Sequence, residues 1–213
     1  MRKIHHIGKF EVEEFDSNIF LAKNIICDDF CDMITEIIEN SLTNYSTYAK
    51  TMNVNCFYKY WEHEYKEDSD EMKKKIKYAK NIFDKIYLKS ILFLISNFLG
   101  IFDNYIPKHS GFILRKIIGP TRMHMDGTIG SPKVPAQEIR NLTCIIGLNS
   151  DYQGGIWYFP NQNVNLYVKK GDVLFFPPYW QHYHSVQEPF INPRYTITTW
   201  FLDEKSEGGY EIT

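Results

Sequence analysis

No stretch of this chain is apolar for long enough to cross a bilayer. The longest candidate, residues 90–102, is interrupted by Ser96 and Asn97, whereas a spanning helix needs about 20 consecutive apolar residues. The opening run Met1-Arg2-Lys3-Ile4-His5-His6 also lacks the apolar core of a secretory signal. No membrane association is expected, and a cytoplasmic location is. Cysteine is scarce: Cys27, Cys31, Cys56 and Cys144 form no C-x-x-C pair, which leaves no disulfide framework and suggests free buried thiols in a reducing compartment. Basic residues are not in excess, with 24 Lys and Arg against 26 Asp and Glu and a net charge of -2, so no nucleic-acid partner is expected. Internal repeats and low-complexity linkers are absent, leaving one domain over 1–213 as the expected organisation.

What the chain does have is aromatic residues, 15 Tyr, 15 Phe and 4 Trp, enough to fill a sandwich core or line a ligand cavity. Asp28 or Asp29 is placed to cap a helix carrying Phe30, Met33, Ile34, Ile37 and Ile38 on one face. Residues 41–65 follow no clear period and read as mostly irregular. Ser69 or Asp70 then opens a second helix. Met72, Ile76, Ala79, Ile82, Phe83 and Ile86 fall on one side of it, as far as about Leu99, with Gly100 as its stop. Lys73-Lys74-Lys75 reads as a solvated helix face rather than an anionic docking patch. From Gly111 the texture becomes strands and turns, with strands expected at 112–118, 122–126, 140–148, 156–159, 164–167, 173–176, 182–186 and 195–202. The expected class is α+β: helices over about 1–110 buttressing a jelly-roll core over about 111–203.

The chemistry concentrates in His124-Met125-Asp126, then His184, then Arg194. On a strand, side chains two residues apart project from the same face, and a later strand can bring a third ligand beside them. Two imidazoles and one carboxylate on one face of an octahedral ion leave the opposite face open, the arrangement of non-haem Fe(II) oxygenases. His124, Asp126 and His184 are therefore the expected metal-binding and catalytic residues. Arg194 suits the far carboxylate of a 2-oxo acid, because a guanidinium offers two parallel hydrogen bonds. Thr196 and Thr198 share its face, and either hydroxyl can add a bond to that carboxylate. A surface ion pair is the plain alternative for Arg194. His182 competes with His184, since both face one side of a strand. The ten-residue distance to Arg194 and the following Ser185-Val186 favour His184, leaving His182 at the rim. His5, His6, His63 and His109 read as surface residues. Trp157, Tyr158, Tyr179, Trp180 and Tyr183 are candidates for pocket wall or core, and the 127–138 loop for a lid or a long connection.

These residues resemble the prolyl 4-hydroxylase branch of the Fe(II)/2-oxoglutarate dioxygenases. The resemblance runs through His124-x-Asp126, the stretch from Arg140 through Thr143-Cys144 to Leu148-Asn149, and Gly154-Gly155 leading to Phe159-Pro160. It continues in Gly171-Asp172 leading to Phe175-Phe176, His184-Ser-Val186, and Arg194-Tyr195 leading to Trp200. It implies a double-stranded β-helix with Fe(II) on His124, Asp126 and His184. It further implies 2-oxoglutarate anchored by Arg194 with Thr198 nearby and Trp200 lining the pocket, O2 as second co-substrate, and ascorbate as a candidate reductant. A prolyl residue in a peptide or protein is the substrate class implied. The alternatives are a small-molecule or free amino acid hydroxylase of the same superfamily, or a non-catalytic β-helix interaction module. Where the family carries a tyrosine before the Leu-Asn pair, this chain has Gly147. Near the place of the family's tyrosine on the strand before the metal motif it has Leu114 and Arg115. A rebuilt co-substrate pocket is expected, using Arg115, Lys116 or another tyrosine. The pattern His182-x-His184 with Glu188 also resembles a cupin motif, but no later histidine completes it. Nucleic-acid demethylases of the superfamily carry a second arginine where this chain has Trp200.

Overall fold

The computed structural model describes residues 2–16, 18–41, 46–47, 56–61, 68–99, 108–127 and 139–212. In chain order come β1 (Lys3–Ile7), β2 (Phe10–Phe15), β3 (Ile19–Ala22), helix α1 (Asp28–Asn40), β4 (Ser46–Thr47), β5 (Cys56–Tyr60) and helix α2 (Asp70–Ile82). The β-rich part follows with β6 (Lys108–His109), β7 (Ile113–Ile117), β8 (Thr121–His124), β9 (Arg140–Gly147), β10 (Gln153–Gly154), β11 (Trp157–Phe159) and β12 (Val164–Leu166). It ends with β13 (Val173–Phe176), β14 (His184–Val186), β15 (Pro189–Phe190), β16 (Arg194–Leu202) and β17 (Tyr210–Glu211).

The strands form a large sheet ordered β1-β2-β3-β13-β9-β16-β7-β5-β4 and a smaller one ordered β12-β11-β14-β8. Together they make a double-stranded β-helix. Its central strands are buried on both faces, which is why β13 reads Val-Leu-Phe-Phe without polar alternation. One face of β9 and β13 turns to the helices: Cys144, Ile146, Val173 and Phe175 pack with Phe30, Ile34, Ile38, Phe83 and Ile91. The other face turns to the smaller sheet, where Ile145, Leu174 and Phe176 meet Trp157, Phe159, Val164, Leu166 and Val186. Period-2 alternation thus separates a helix-backed core from the barrel interior that holds the candidate site.

Several expectations change. The first 22 residues are not helical: β1 and β2 form a hairpin and β3 joins it to β13. Most of β1 and β2 lies only half-buried or exposed, so no apolar alternation announces them. Polar side-chain contacts cross the hairpin instead, Arg2 with Glu13 and His5 Nε2 with Glu14 at 2.7 Å. Within 41–65, β5 is a regular strand paired to β7. Cys27, not an aspartate, occupies the N-cap of α1, and Asp28 and Asp29 sit in the first turn, where the helix dipole favours them. Ser69 does cap α2, accepting the Met72 N–H at 3.2 Å. The helix then passes through wider π turns at Phe83–Leu88 and Ile95–Leu99. The extra residue rotates the apolar face, burying Tyr87 and Leu88 and leaving Ile86 exposed. Lys75 of the lysine run reaches Glu36 of α1 at 2.5 Å. Gly100 and His63 lie outside the described residues. Cys27 is exposed and the other three cysteines are buried.

His109 is not a surface residue. It lies buried on β6, its Nδ1 accepting the Gly111 N–H at 3.0 Å, with its ring between Phe112 and Tyr210. Burial, with the charge of Lys80, pushes its pKa down from 6.5 to about 4. Below pH 6.5 the unfolded chain takes up a proton that the folded chain refuses until about pH 4. The stability it contributes above pH 6.5 is therefore lost as pH falls through that window. Replacing His109 with Asn, which keeps an acceptor for Gly111, should remove roughly 1–3 kcal/mol of the pH-dependent loss. Urea unfolding across that range tests it, and an unchanged slope would contradict it.

Candidate active site

His124 ends β8 and stands directly opposite His184, which begins β14. This cross-strand pairing puts the two imidazoles on one face, with ring centroids 4.3 Å apart. Asp126 lies beyond the end of β8, so the turn delivers its carboxylate rather than strand alternation. One ligand atom from each of His124, Asp126 and His184 lies within 4.8 Å of the others. The described residues contain no other cluster of this kind.

The hydrogen bonds around these groups set their chemical state. His124 Nδ1 is 2.8 Å from the Arg122 carbonyl, and His184 Nδ1 is 3.0 Å from the His182 carbonyl. A carbonyl can only accept, so each Nδ1 carries a hydrogen and Nε2 is the ring nitrogen turned to the cluster. Asp126 Oδ1 lies 3.2 Å from His124 Nε2, while Oδ2 accepts from the Thr143 hydroxyl at 2.9 Å. Arg140 Nη1 donates to the Asp126 backbone carbonyl at 2.8 Å. Burial alone would raise the Asp126 pKa. The His124 hydrogen bond, the two histidine charges and Thr143 outweigh it and hold the carboxyl well below its usual range. His184, enclosed by Trp157, Phe159 and Phe176, is pushed down to about 4 by burial. Burial also disfavours charge on His124, but the Asp126 hydrogen bond and charge prevail and raise it. Two imidazole nitrogens and an ionised carboxylate are the donors that a divalent transition metal accepts.

His182 is not a rival ligand. It sits buried in the turn Trp180–His182 and contributes its carbonyl to orient His184. Arg194, the first residue of β16, is only 3% exposed. Its guanidinium lies 5.5 Å from the Trp157 ring, and neither Nε nor Nη1 has a hydrogen-bond partner among the described residues. That excludes the surface ion pair. Thr196 and Thr198 follow on the same face, buried and with their hydroxyls unpartnered. An unpaired buried cation is costly, and a carboxylate would offset that cost here. Trp200 closes the row, buried and opposite Thr143 in register, with the Arg140 guanidinium 3.7 Å from its ring centre.

Glycine at position 147 has a structural reason. A Cβ on Gly147 would lie 2.3 Å from the Lys169 carbonyl oxygen, so the close approach of β9 to the turn before β13 leaves no room for a side chain. Of the substitutes proposed from sequence, Lys116 turns to the helix side and meets Glu39 at 2.7 Å. Arg115 stands opposite Thr196 on the interior face. The tyrosine beside Arg194 is Tyr152, whose ring packs over Gly155 and whose hydroxyl donates to the Val168 carbonyl at 3.2 Å. Sequence reasoning had assigned no role to Thr143, Arg140 or Tyr152. The contiguous run from Arg140 to Thr143 was the available signal for the first two. Trp157 is core, whereas Tyr158, Tyr179, Trp180 and Tyr183 are exposed. Residues 128–138 lie outside the described part. No helix in the described residues is long and apolar enough to cross a membrane.

Residues 116–202 match the family model of the 2OG-Fe(II) oxygenase superfamily. No curated protein is significantly similar in sequence. Among solved structures, the viral collagen prolyl hydroxylase of Paramecium Bursaria Chlorella virus-1 is similar at 17% identity, with a TM-score of 0.58, covering 88% of this chain and 97% of that one. A prolyl hydroxylase from Trichoplax adhaerens, in complex with a hypoxia inducible factor peptide fragment, gives 18% identity and a TM-score of 0.60 over 90% and 86%. A Pseudomonas putida prolyl-4-hydroxylase gives 13% and 0.60 over 89% and 94%. At these identities the likeness is one of fold. Replacing Gly147 with Ala should destabilise the protein by about 2 kcal/mol or more, because backbone must move to admit the methyl group. Denaturant melts test this, and a variant as stable as wild type would contradict the packing argument.

Proposed function

We propose that this chain, whose residues 116–202 match the family model of the 2OG-Fe(II) oxygenase superfamily, hydroxylates an unactivated C–H bond of a prolyl residue in a peptide or protein. The observation that carries the reading is one interior face holding both the His124–Asp126–His184 donor set and the buried, unpartnered Arg194. A structural metal site has no use for an anion anchor.

His124, Asp126 and His184 would hold Fe(II). Bound there, the metal supplies the redox chemistry that couples oxidative decarboxylation of 2-oxoglutarate to insertion of one oxygen atom of O2 into the C–H bond, the other ending in succinate. The chain's own groups do the positioning. The Arg122 and His182 carbonyls fix each imidazole with Nε2 inward, and Thr143 and Arg140 hold Asp126. Arg194 would donate two parallel hydrogen bonds to the far carboxylate of 2-oxoglutarate, with the Thr196 or Thr198 hydroxyl available to donate a third. Trp157, Phe159 and Phe176 exclude water around His184.

The proline assignment is supported by the solved structures of similar fold, whose names are prolyl hydroxylases, one of them holding a peptide. The exposed aromatic side chains Tyr179, Trp180 and Tyr183, in and beside the turn that leads into His184, suit a proline ring or peptide backbone. Free amino acids or small metabolites are the second substrate class to assay.

The test is incubation with Fe(II), 2-oxoglutarate and ascorbate, scored as a mass gain of one oxygen atom on prolyl peptides and, in parallel, on free amino acids. Wild type should modify peptides and release succinate in step. Asp126→Ala should abolish both, since the site loses its only anionic ligand, and should also lose the rise in melting temperature that Mn(II) gives wild type. Arg194→Gln should raise the KM for 2-oxoglutarate by about tenfold or more. Succinate release that survives Asp126→Ala, or modification confined to free amino acids, would overturn the metal site or the substrate class respectively.

A further inference from the structure

The interior face of β7 carries a second cation, Arg115, to which the proposed mechanism gives no role. Arg115 stands directly opposite Thr196 on β16, so its side chain leaves the sheet on the face that carries Arg194, Thr198 and Trp200. It is half-buried, and its guanidinium carbon lies 5.8 Å from the Trp200 ring centre. Its charge acts on both ends of the site, disfavouring protonation of His124 at the metal cluster and of Arg194 at the anchor.

The neighbouring cations make the contrast. Arg140, on the same indole, is engaged by the Asp126 carbonyl. Lys116, one residue along β7 and on its other face, is matched by Glu39. Arg115 has no carboxylate within ion-pairing distance among the described residues, and neither has Arg194. Two guanidiniums thus share one interior face, and among the described residues the carboxylate of the site, Asp126, is already held by His124 and Thr143. A ligand with a single carboxylate at Arg194 would leave the second cation uncompensated.

We propose that Arg115 is a second carboxylate-binding cation of this pocket, taking a carboxylate other than the one held by Arg194. The inference rests on the reading of Arg194 as the 2-oxoglutarate anchor. The carboxylate has two possible sources: the oxo-acid end of 2-oxoglutarate, or an acidic group of the substrate beside the oxidised C–H bond. Both present the planar pair of oxygens that a guanidinium binds through parallel hydrogen bonds.

The test uses the full chain loaded with Mn(II), which supports binding without turnover. 2-Oxoglutarate is titrated calorimetrically into wild type, Arg115→Gln, Arg115→Lys and Lys116→Gln. In parallel, the Fe(II) enzyme is assayed on two prolyl peptides that differ only by Glu or Gln next to the proline. If the co-substrate supplies the carboxylate, Arg115→Gln weakens 2-oxoglutarate binding by about tenfold or more, Arg115→Lys by less, and Lys116→Gln not at all. If the substrate supplies it, 2-oxoglutarate binding is unchanged, wild type prefers the Glu peptide through KM, and Arg115→Gln erases that preference while kcat holds. Should Arg115→Gln fail to fold by circular dichroism, Arg115→Lys carries the same comparisons, because it keeps the charge and loses the paired bonds. Binding and peptide preference both identical to wild type would overturn the proposal. A wild type that binds no 2-oxoglutarate would overturn the anchor reading, and this inference with it.

Discussion

The site depends on one cross-strand pair. His124 and His184 occupy opposite positions on β8 and β14, and the register shifts immediately beyond them, before Val186 meets Thr121. A bulge at this point re-aims side chains without ending the ladder. It holds the two imidazoles together at the open edge of the smaller sheet while Val186 stays in the core. A slip of one residue would send each ring to the opposite face, and the donor set would cease to exist. The carboxylate is less constrained by the sheet, because Asp126 lies past the strand end. Thr143 and Arg140, both on β9, recover that lost rigidity by hydrogen bonds from a central strand.

Charge within the barrel is distributed for ligands rather than for stability. At the His124–Asp126–His184 cluster, burial disfavours the charged form of His184, while hydrogen bonds and neighbouring charge hold Asp126 ionised. At the other end, Arg194 is desolvated and has no acidic partner among the described residues, and burial disfavours its charged form. Between them the Thr196 and Thr198 hydroxyls are buried and unsatisfied. Natural interiors pair such groups almost without exception. Their clustering along one strand face marks the path on which a polar ligand with a terminal carboxylate would lie.

Much of this was legible in the sequence. The eight strands expected after Gly111 all appear within a few residues of their expected ends, helped by local signals such as the apolar run Val173–Phe176 between Asp172 and Pro177. The convergence of His124, Asp126 and His184 was legible from residue type and order, and the structure groups His184 rather than His182 with them: His182 falls in a short turn before β14 begins. Three things were hidden. β1 and β2 carry charged, half-exposed side chains whose pairing is set by ion pairs and by β3, so no periodic pattern reports them. His109 sits in a two-residue strand whose burial comes from Phe112 and the distant Tyr210. The pocket side of Arg115 and the helix side of Lys116 differ by one residue of register, and only the pairing with β16 decides which is which.

The central claim is that one metal ion, held by His124, Asp126 and His184, couples oxidation of an acid anchored at Arg194 to oxidation of a prolyl peptide. The most direct measurement is to run the reaction under isotopically heavy O2 and weigh both products. One heavy oxygen in succinate and one in the hydroxylated peptide, in equal yield, is the result the proposed reaction predicts. Succinate that forms without heavy oxygen, or a modified peptide whose oxygen comes from water, would contradict it.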